Sequence, residues 1–279
     1  MTATHDGWEL PISEEQLAGL TRDMETAHFE TLPAMRAGAV DLAEEIRTTG
    51  DAAPGDGPRD PGRRRFLLGA GGVAAAFALA GCGGSDTSSA PITGAGANSP
   101  SSSGSASTNS STYTGDLKVV ALAVALENQA VGAYKAALAA GKAGKLGSVP
   151  PAVSTFMTTA MAQHADHAKA WNAVLTAAGK PAISNVPLSN QASVTSALNS
   201  ASSVGAVAQL ALQLENQAAQ TYLSALSSLT GKAGIATAAT IAPVEAMHAS
   251  ILHFVLGQYP VPDTFLPTDK AANPGLLTV

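Results

Sequence analysis

Along the second half of the chain, apolar residues recur every three to four positions, and polar or Gly/Pro-rich stretches cut them into four long segments. The spacing predicts helices over about 116–140, from Pro150-Pro151 to 178, over 204–229, and from the glycines at 231–234 to 257. Residues 141–147, Gly179-Lys180-Pro181 and 231–234 supply the stops. The polar connection between the second and third helices has room for a short helix at 191–200. Pro243 lies inside the fourth segment and predicts a kink or a late start. No stretch keeps a period of two, so strands are not expected. Short, long and short connections between four helices describe an all-α fold, a four-helix bundle with one crossover.

The first and third helices repeat. Aligning ALAVALENQAVGAYKAAL (121–138) with QLALQLENQAAQTYLSAL (209–226) gives ten identities in eighteen positions, including a contiguous LENQA and a tyrosine seven residues after the glutamate. The second and fourth helices correspond through His164-Ala165-Asp166-His167 and Glu245-Ala246-Met247-His248. In each half, a helix with one glutamate precedes a helix with a potential ligand pair at i, i+3. The domain therefore reads as a duplicated helical hairpin.

Charge divides the chain differently. Residues 1–82 carry thirteen acidic and seven basic side chains, so the net charge of −6 lies wholly there, and residues 83–279 carry eight of each. The neutral remainder has no basic patch, which argues against nucleic acid as a partner. The single cysteine, Cys82, excludes disulfides within the chain and sites built from several thiolates.

Residues 63–82 read as a targeting signal. Arg63-Arg64-Arg65-Phe66-Leu67-Leu68 resembles the twin-arginine export motif, and the Gly/Ala-rich apolar run to Gly81 has the character of a signal h-region. Leu79-Ala80-Gly81-Cys82 resembles the lipobox of bacterial lipoproteins, in which the cysteine carries the lipid. The implied location is the extracytoplasmic face of the bacterial membrane, anchored through Cys82. Residues 83–115 are almost entirely Ser, Gly, Thr, Ala, Pro and Asn and are expected to be a disordered linker, its ends about 30 Å apart. Residues 1–62 are read as a long cytosolic leader, disordered or carrying two short helices. A true start at Met24 or Met35 would account for its length, and the Glu25-x-x-His28 within it is taken as chance. Residues 258–279 form a C-terminal tail.

Helical geometry puts the glutamates on apolar faces. Glu127 shares its face with Val120, Val124, Val131, Tyr134 and Leu138, and Glu215 with Leu212, Ala219, Tyr222 and Leu226. Glu245 and His248 lie with Ile241, Ile251, Leu252 and Val255; His164 and His167 lie with Ala160, Trp171 and Val174. A buried carboxylate must be protonated, paired or metal-bound. The helical domain has no arginine, and its lysines fall mostly at helix ends and loops. Proton sharing, histidine pairing and metal binding remain. Three carboxylates and three imidazoles suit iron, manganese or zinc.

A glutamate, an E-x-x-H, a second glutamate and a second E-x-x-H over four helices is the pattern of the ferritin-like di-metal carboxylate proteins. The chain resembles that family over about 116–257, and looks most like its exported bacterial members. The resemblance implies a centre of two divalent ions, iron first and manganese or zinc as alternatives, held by Glu127, His164, His167, Glu215, Glu245 and His248. His164 stands where the family has Glu, which leaves two divalent ions at about +1 before any bridging hydroxide. Tyr134 and Tyr222 are expected to reach carboxylates with their hydroxyls, Gln163 and Asp166 to stand behind the ligands or in solvent, and His253 to be structural. The implied function is ferroxidase-type or peroxide-consuming, with a metal-sequestering or stress-related structural bundle as the alternative. A lipid tether fits a monomer or dimer rather than a cage.

Overall fold

A computed structural model of the chain describes residues 9–50, 112–263 and 265–279. Arg63, Arg64 and Cys82, with the export signal, the lipobox and nearly all of the expected linker, lie outside the described residues. Among the described residues six helices follow in order: α1 (Glu14–Thr49), α2 (Gly115–Lys142), α3 (Pro151–Ala177), α4 (Gln191–Ser200), α5 (Val204–Ser228) and α6 (Lys232–Val255), then a 3-10 turn at Pro274–Leu276. Among the described residues there is no strand, only an isolated bridge between Leu188 and Leu277.

The pairs α2–α3 and α5–α6 form two hairpins, joined through α2 against α5. The apolar faces behind the glutamates close the core: Val120, Val124, Trp171, Val174, Tyr222 and Ile241 pack on one side of the ligand layer. Tyr134, Phe156, Ala160, Leu212, Ile251, Leu252 and Val255 pack on the other. Pro243 does not delay α6, which runs continuously through it. The carbonyl that loses its N–H partner there belongs to Ala239, and Ala239 and Pro243 are both on the exposed side of the helix.

Asp116 joins the two hairpins. Buried at the start of α2, it accepts hydrogen bonds from the backbone N–H groups of Thr230 (2.9 Å) and Gly231 (2.8 Å), just ahead of α6. These are donors that a helix N-terminus leaves unsatisfied, and a carboxylate also suits the positive end of the helix. Asn128 and Gln129 of the first LENQA hold the crossover. Asn128 donates to the carbonyls of Ile183 and Asn185, and Gln129 reaches Asn190 and Gln191.

Residues 14–49 correct the expectation of a disordered leader with at most two short helices: they form one helix of 36 residues. Ser13 and Gln16 make a reciprocal capping box at its start. Leu17, Thr21, Met24, His28, Leu32, Met35, Ala39, Leu42 and Ile46 are buried at three- and four-residue spacing, so the helix carries a continuous, mostly apolar buried stripe. It packs along both α3 and α6. Pro33 is tolerated because it is exposed and the carbonyl it leaves free, on Phe29, is on the solvent side. Gly38 sets the closest approach, since a Cβ there would lie 2.4 Å from Thr237 Oγ1 of α6. Burial of each large apolar side chain stabilises the docking by about 1.5–3 kcal/mol.

Candidate metal centre

All six expected ligands meet in the middle of the bundle, and each is at most 2 % exposed. Glu127 comes from α2, His164 and His167 from α3, Glu215 from α5, Glu245 and His248 from α6. They form two overlapping sets. The first is Glu127, His164, His167 and Glu245; the second is His164, Glu215, Glu245 and His248. His164 and Glu245 belong to both.

In the first set His164 Nδ1 lies 2.7 Å from Glu127 Oε2 and 3.6 Å from Glu245 Oε1. His167 Nδ1 lies 2.9 Å from Glu245 Oε1 and 3.5 Å from Glu127 Oε1. In the second, His164 Nε2 lies 3.1 Å from Glu215 Oε1. His248 Nδ1 stands 3.2 Å from Glu215 Oε2 and 3.3 Å from Glu245 Oε2. The i, i+3 spacing on α3 and α6 places the members of each pair one turn apart on the inner face.

Groups around the ligands fix their orientation. Tyr134 donates to Glu215 Oε1, and Tyr222 donates to Glu127 Oε1 while accepting from Trp171 Nε1 at 2.9 Å. Burial, reinforced by the adjacent carboxylates, pushes both tyrosine hydroxyls well above their ordinary range, so they remain donors. Gln163 Oε1 accepts from His248 Nε2 at 2.8 Å, which leaves Nδ1 of that ring turned to the carboxylates. Asp166 faces α1 instead, 3.5 Å from His28 Nε2 and 3.2 Å from Arg36. His253 stands apart from the cluster, its ring N–H bonded to Gln258.

Burial alone would raise Glu127. The opposing charge of His167 and the hydrogen bond to His164 outweigh it and hold the carboxyl at about 2. Glu215 is driven well below the carboxylate range by His164 and His248, again against burial. Burial would lower the histidines, yet the carboxylates hold His164 well above its ordinary value, lift His167 to about 9 and raise His248. The protein's own charges thus favour Glu127 and Glu215 as carboxylates opposite three imidazoliums.

Two atoms of the cluster are left without a hydrogen-bond partner by these contacts. His167 Nδ1 and Glu245 Oε1 are 2.9 Å apart, but neither makes a hydrogen bond. Two buried polar atoms that close, without a bond, are aimed past each other toward common space, as ligand atoms of one ion are. The donor set, three carboxylates and three imidazoles in two groups of four, fits first-row divalent ions.

His28 has no counterpart in the sequence reading of the site. Its ring centre stands 5.2 Å from that of His167, and its Nδ1 is buried without a partner. Glu25, the other end of the apparent E-x-x-H, is exposed, so that motif does not act as a pair. The signal that could have found His28 was its place on the apolar stripe between Met24 and Leu32.

A helical bundle whose four central helices share a buried carboxylate–imidazole cluster is compatible with a metal site at its centre. The family model for the Ferritin-like domain matches residues 111–258, just over half of the chain, and the chain belongs to that family. No curated protein and no solved structure matches it.

Proposed function

We propose that this is an exported, lipid-anchored ferritin-like protein that binds a dinuclear metal centre, iron first, and performs ferroxidase-type or peroxide-consuming redox chemistry. The observation that carries the metal reading is the pair of four-residue ligand sets meeting at His164 and Glu245, with His167 Nδ1 and Glu245 Oε1 aimed at shared space. Bound iron would supply one-electron redox chemistry that no side chain here provides. The chain's own residues bind and orient. Gln163 fixes His248, the two tyrosines fix Glu127 and Glu215, and the apolar layers above and below exclude bulk water.

Access favours small reactants. An apolar cleft of about 10 Å³ lies between α2, α4 and α5, and Tyr134 and Glu215 are its polar lining residues. That is room for about one water molecule. Anchoring rests on Arg63-Arg64 with Phe66-Leu67, on the apolar run behind them, and on Leu79-Ala80-Gly81-Cys82. A tether at Cys82 suits a monomer or dimer. The closed site favours a second reading, metal sequestration without turnover.

The discriminating experiment uses the full chain, stripped of metal. Bound metal per chain is measured, then Fe(II) is titrated anaerobically and oxygen admitted. Two ions per chain with oxygen consumption, both lost in Glu127→Ala and Glu215→Ala, are expected. Binding without oxygen uptake selects sequestration, and no binding of any first-row divalent ion rejects both readings. Fractionation and mass determination, with Cys82→Ala as control, test the lipid anchor.

A further inference from the structure

We propose that His28 of α1 is a gate over the metal centre: its ring closes the site on the α3–α6 side, and ions pass when it moves aside. The inference rests on the metal reading above and concerns how an ion reaches ligands that solvent barely touches. His167 is 1 % exposed, and on the α1 side its ring meets that of His28 at a centre-to-centre distance of 5.2 Å. Beyond His28 lies Asp166, whose side chain is 32 % exposed and pairs with the exposed Arg36 at 3.2 Å. The His28 ring therefore stands between a ligand and the protein surface.

The position of that ring is set by how α1 is held. Neither α3 nor α6 has a side-chain cap of its own, their capping residues being Pro150 and Gly231. Glu14, in the first turn of α1, accepts from the Ala152 backbone N–H of α3 at 3.1 Å. Glu45, near the other end of α1, accepts from the Ala233 N–H of α6 at 3.4 Å. Each carboxylate meets a donor that a helix N-terminus leaves free, at the positive end of the helix dipole. Between these ends the close approach of Gly38 to Thr237 fixes the register, which holds His28 opposite His167. The ring itself is held loosely. Its Nδ1 is buried without a hydrogen bond, and Nε2 reaches Asp166 only at 3.5 Å. One turn on, Pro33 has no N–H for the Phe29 carbonyl, so α1 lacks a backbone hydrogen bond beside His28. Motion of this one side chain can open the site, whereas undocking α1 would expose Leu17, Met24, Met35 and Leu42 to water.

Zinc exchange reads the gate. The full chain is loaded with Zn(II), bound zinc is counted, and transfer to an excess of a chromophoric chelator is timed. In His28→Ala, release and uptake should both rise about tenfold, the effect of a barrier lower by about 1.4 kcal/mol, with the number and affinity of bound ions unchanged. His28→Leu fills about the same space without a nitrogen and should exchange zinc no faster than the wild type. Should the alanine variant not fold, His28→Ser repeats the test with a small polar side chain. A readout free of metal is deuterium exchange at the His167 C2 position in the stripped chain, followed across pH by mass spectrometry. It should rise in His28→Ala and not in His28→Leu. Zinc exchange as slow in the alanine variant as in the wild type overturns the gate and puts entry on the α2–α5 side, at the cleft lined by Tyr134 and Glu215. A leucine variant as fast as the alanine one overturns it too, since bulk would not be what holds ions back. A changed number of bound ions in His28→Ala makes His28 a ligand instead. No zinc bound by the wild type rejects the metal reading and the gate with it, whatever the His167 exchange shows.

Discussion

Tyr134 on α2 donates its hydroxyl hydrogen bond to Glu215 on α5. Tyr222 on α5 returns the same bond to Glu127 on α2. The two copies of LENQA-x3-Tyr therefore exchange donors across the bundle axis, so each repeat holds the other's glutamate in place. The consequence is energetic as well as geometric, because a buried carboxylate oxygen that loses its donor is not compensated by water.

Tyr134→Phe is expected to cost about 1–3 kcal/mol by leaving Glu215 short of a donor. Tyr222→Phe should cost more, since Trp171 Nε1 loses its acceptor in the same step. Urea unfolding of the metal-stripped variants measures both. Equal, negligible losses would mean that the tyrosines act only as apolar filling.

Stability should depend on pH with opposite sign in stripped and loaded protein. In the stripped chain His167 moves from 6.5 to about 9 on folding, so its contribution is complete below 6.5 and disappears as pH rises through 9. His164 and His248 are raised as well and act in the same direction. Glu127, held at about 2 against an ordinary 4.5, contributes above 4.5 and loses that contribution as pH falls through 2. His28 is lowered by burial and by His167, so protonating it below 6.5 is unfavourable. Unfolding free energy of the stripped chain should therefore decline from pH 6.5 to 9. Metal ligation needs deprotonated imidazoles, so zinc-loaded protein should gain stability over that interval instead. Denaturant titrations at fixed pH, with and without Zn(II), read the difference.

Gln163→Leu removes the acceptor that fixes His248 while leaving the expected ligands in place. Metal affinity should fall about 10–100-fold with unchanged stoichiometry. Competition with a chromophoric chelator measures it. A fall in the number of ions bound would instead make Gln163 a direct ligand.

The docking of α1 is testable at its tightest point. Gly38→Ala places a Cβ 2.4 Å from Thr237 Oγ1 and should cost about 1–3 kcal/mol. Thr237→Ala in the same chain should recover part of that loss, though the Ala233 carbonyl 3.3 Å away remains close. Deleting residues 1–50 should be more damaging, because the faces of α3 and α6 that Leu17, Met24, Met35 and Leu42 cover would meet water. Processing before Cys82 would have the same effect, so comparing the thermal stability of the full chain with that of the processed form also bears on the export reading. Indistinguishable unfolding of the two would place α1 outside the stable fold.

The bundle helices were legible because their signals are local. Proline starts, glycine stops and a 3.6-residue apolar period reproduce α2, α3, α5 and α6 to within a few residues, and α4 falls on 191–200 as expected. The repetition of glutamate in LENQA, its place on apolar faces and the two i, i+3 pairs pointed to the six cluster residues without coordinates. Spacing along one helix decides which side chains share a face, and glutamates on apolar faces have few alternatives to meeting one another.

What sequence could not decide depended on contacts between distant segments. Nothing local distinguishes a stripe on α1 that docks from one that waits in solvent; the match between Gly38 and Thr237, about two hundred residues apart, is a property of the packed state. The exchange of tyrosines across the axis and the aim of His167 Nδ1 past Glu245 likewise depend on how neighbouring helices rotate. The chain by itself determined which residues had to leave water and which of them carry charge. Only the tertiary structure decided which nitrogen faces which oxygen, because a hydrogen bond or a metal bond depends on direction over a few ångströms, and that direction is set by packing rather than by sequence spacing.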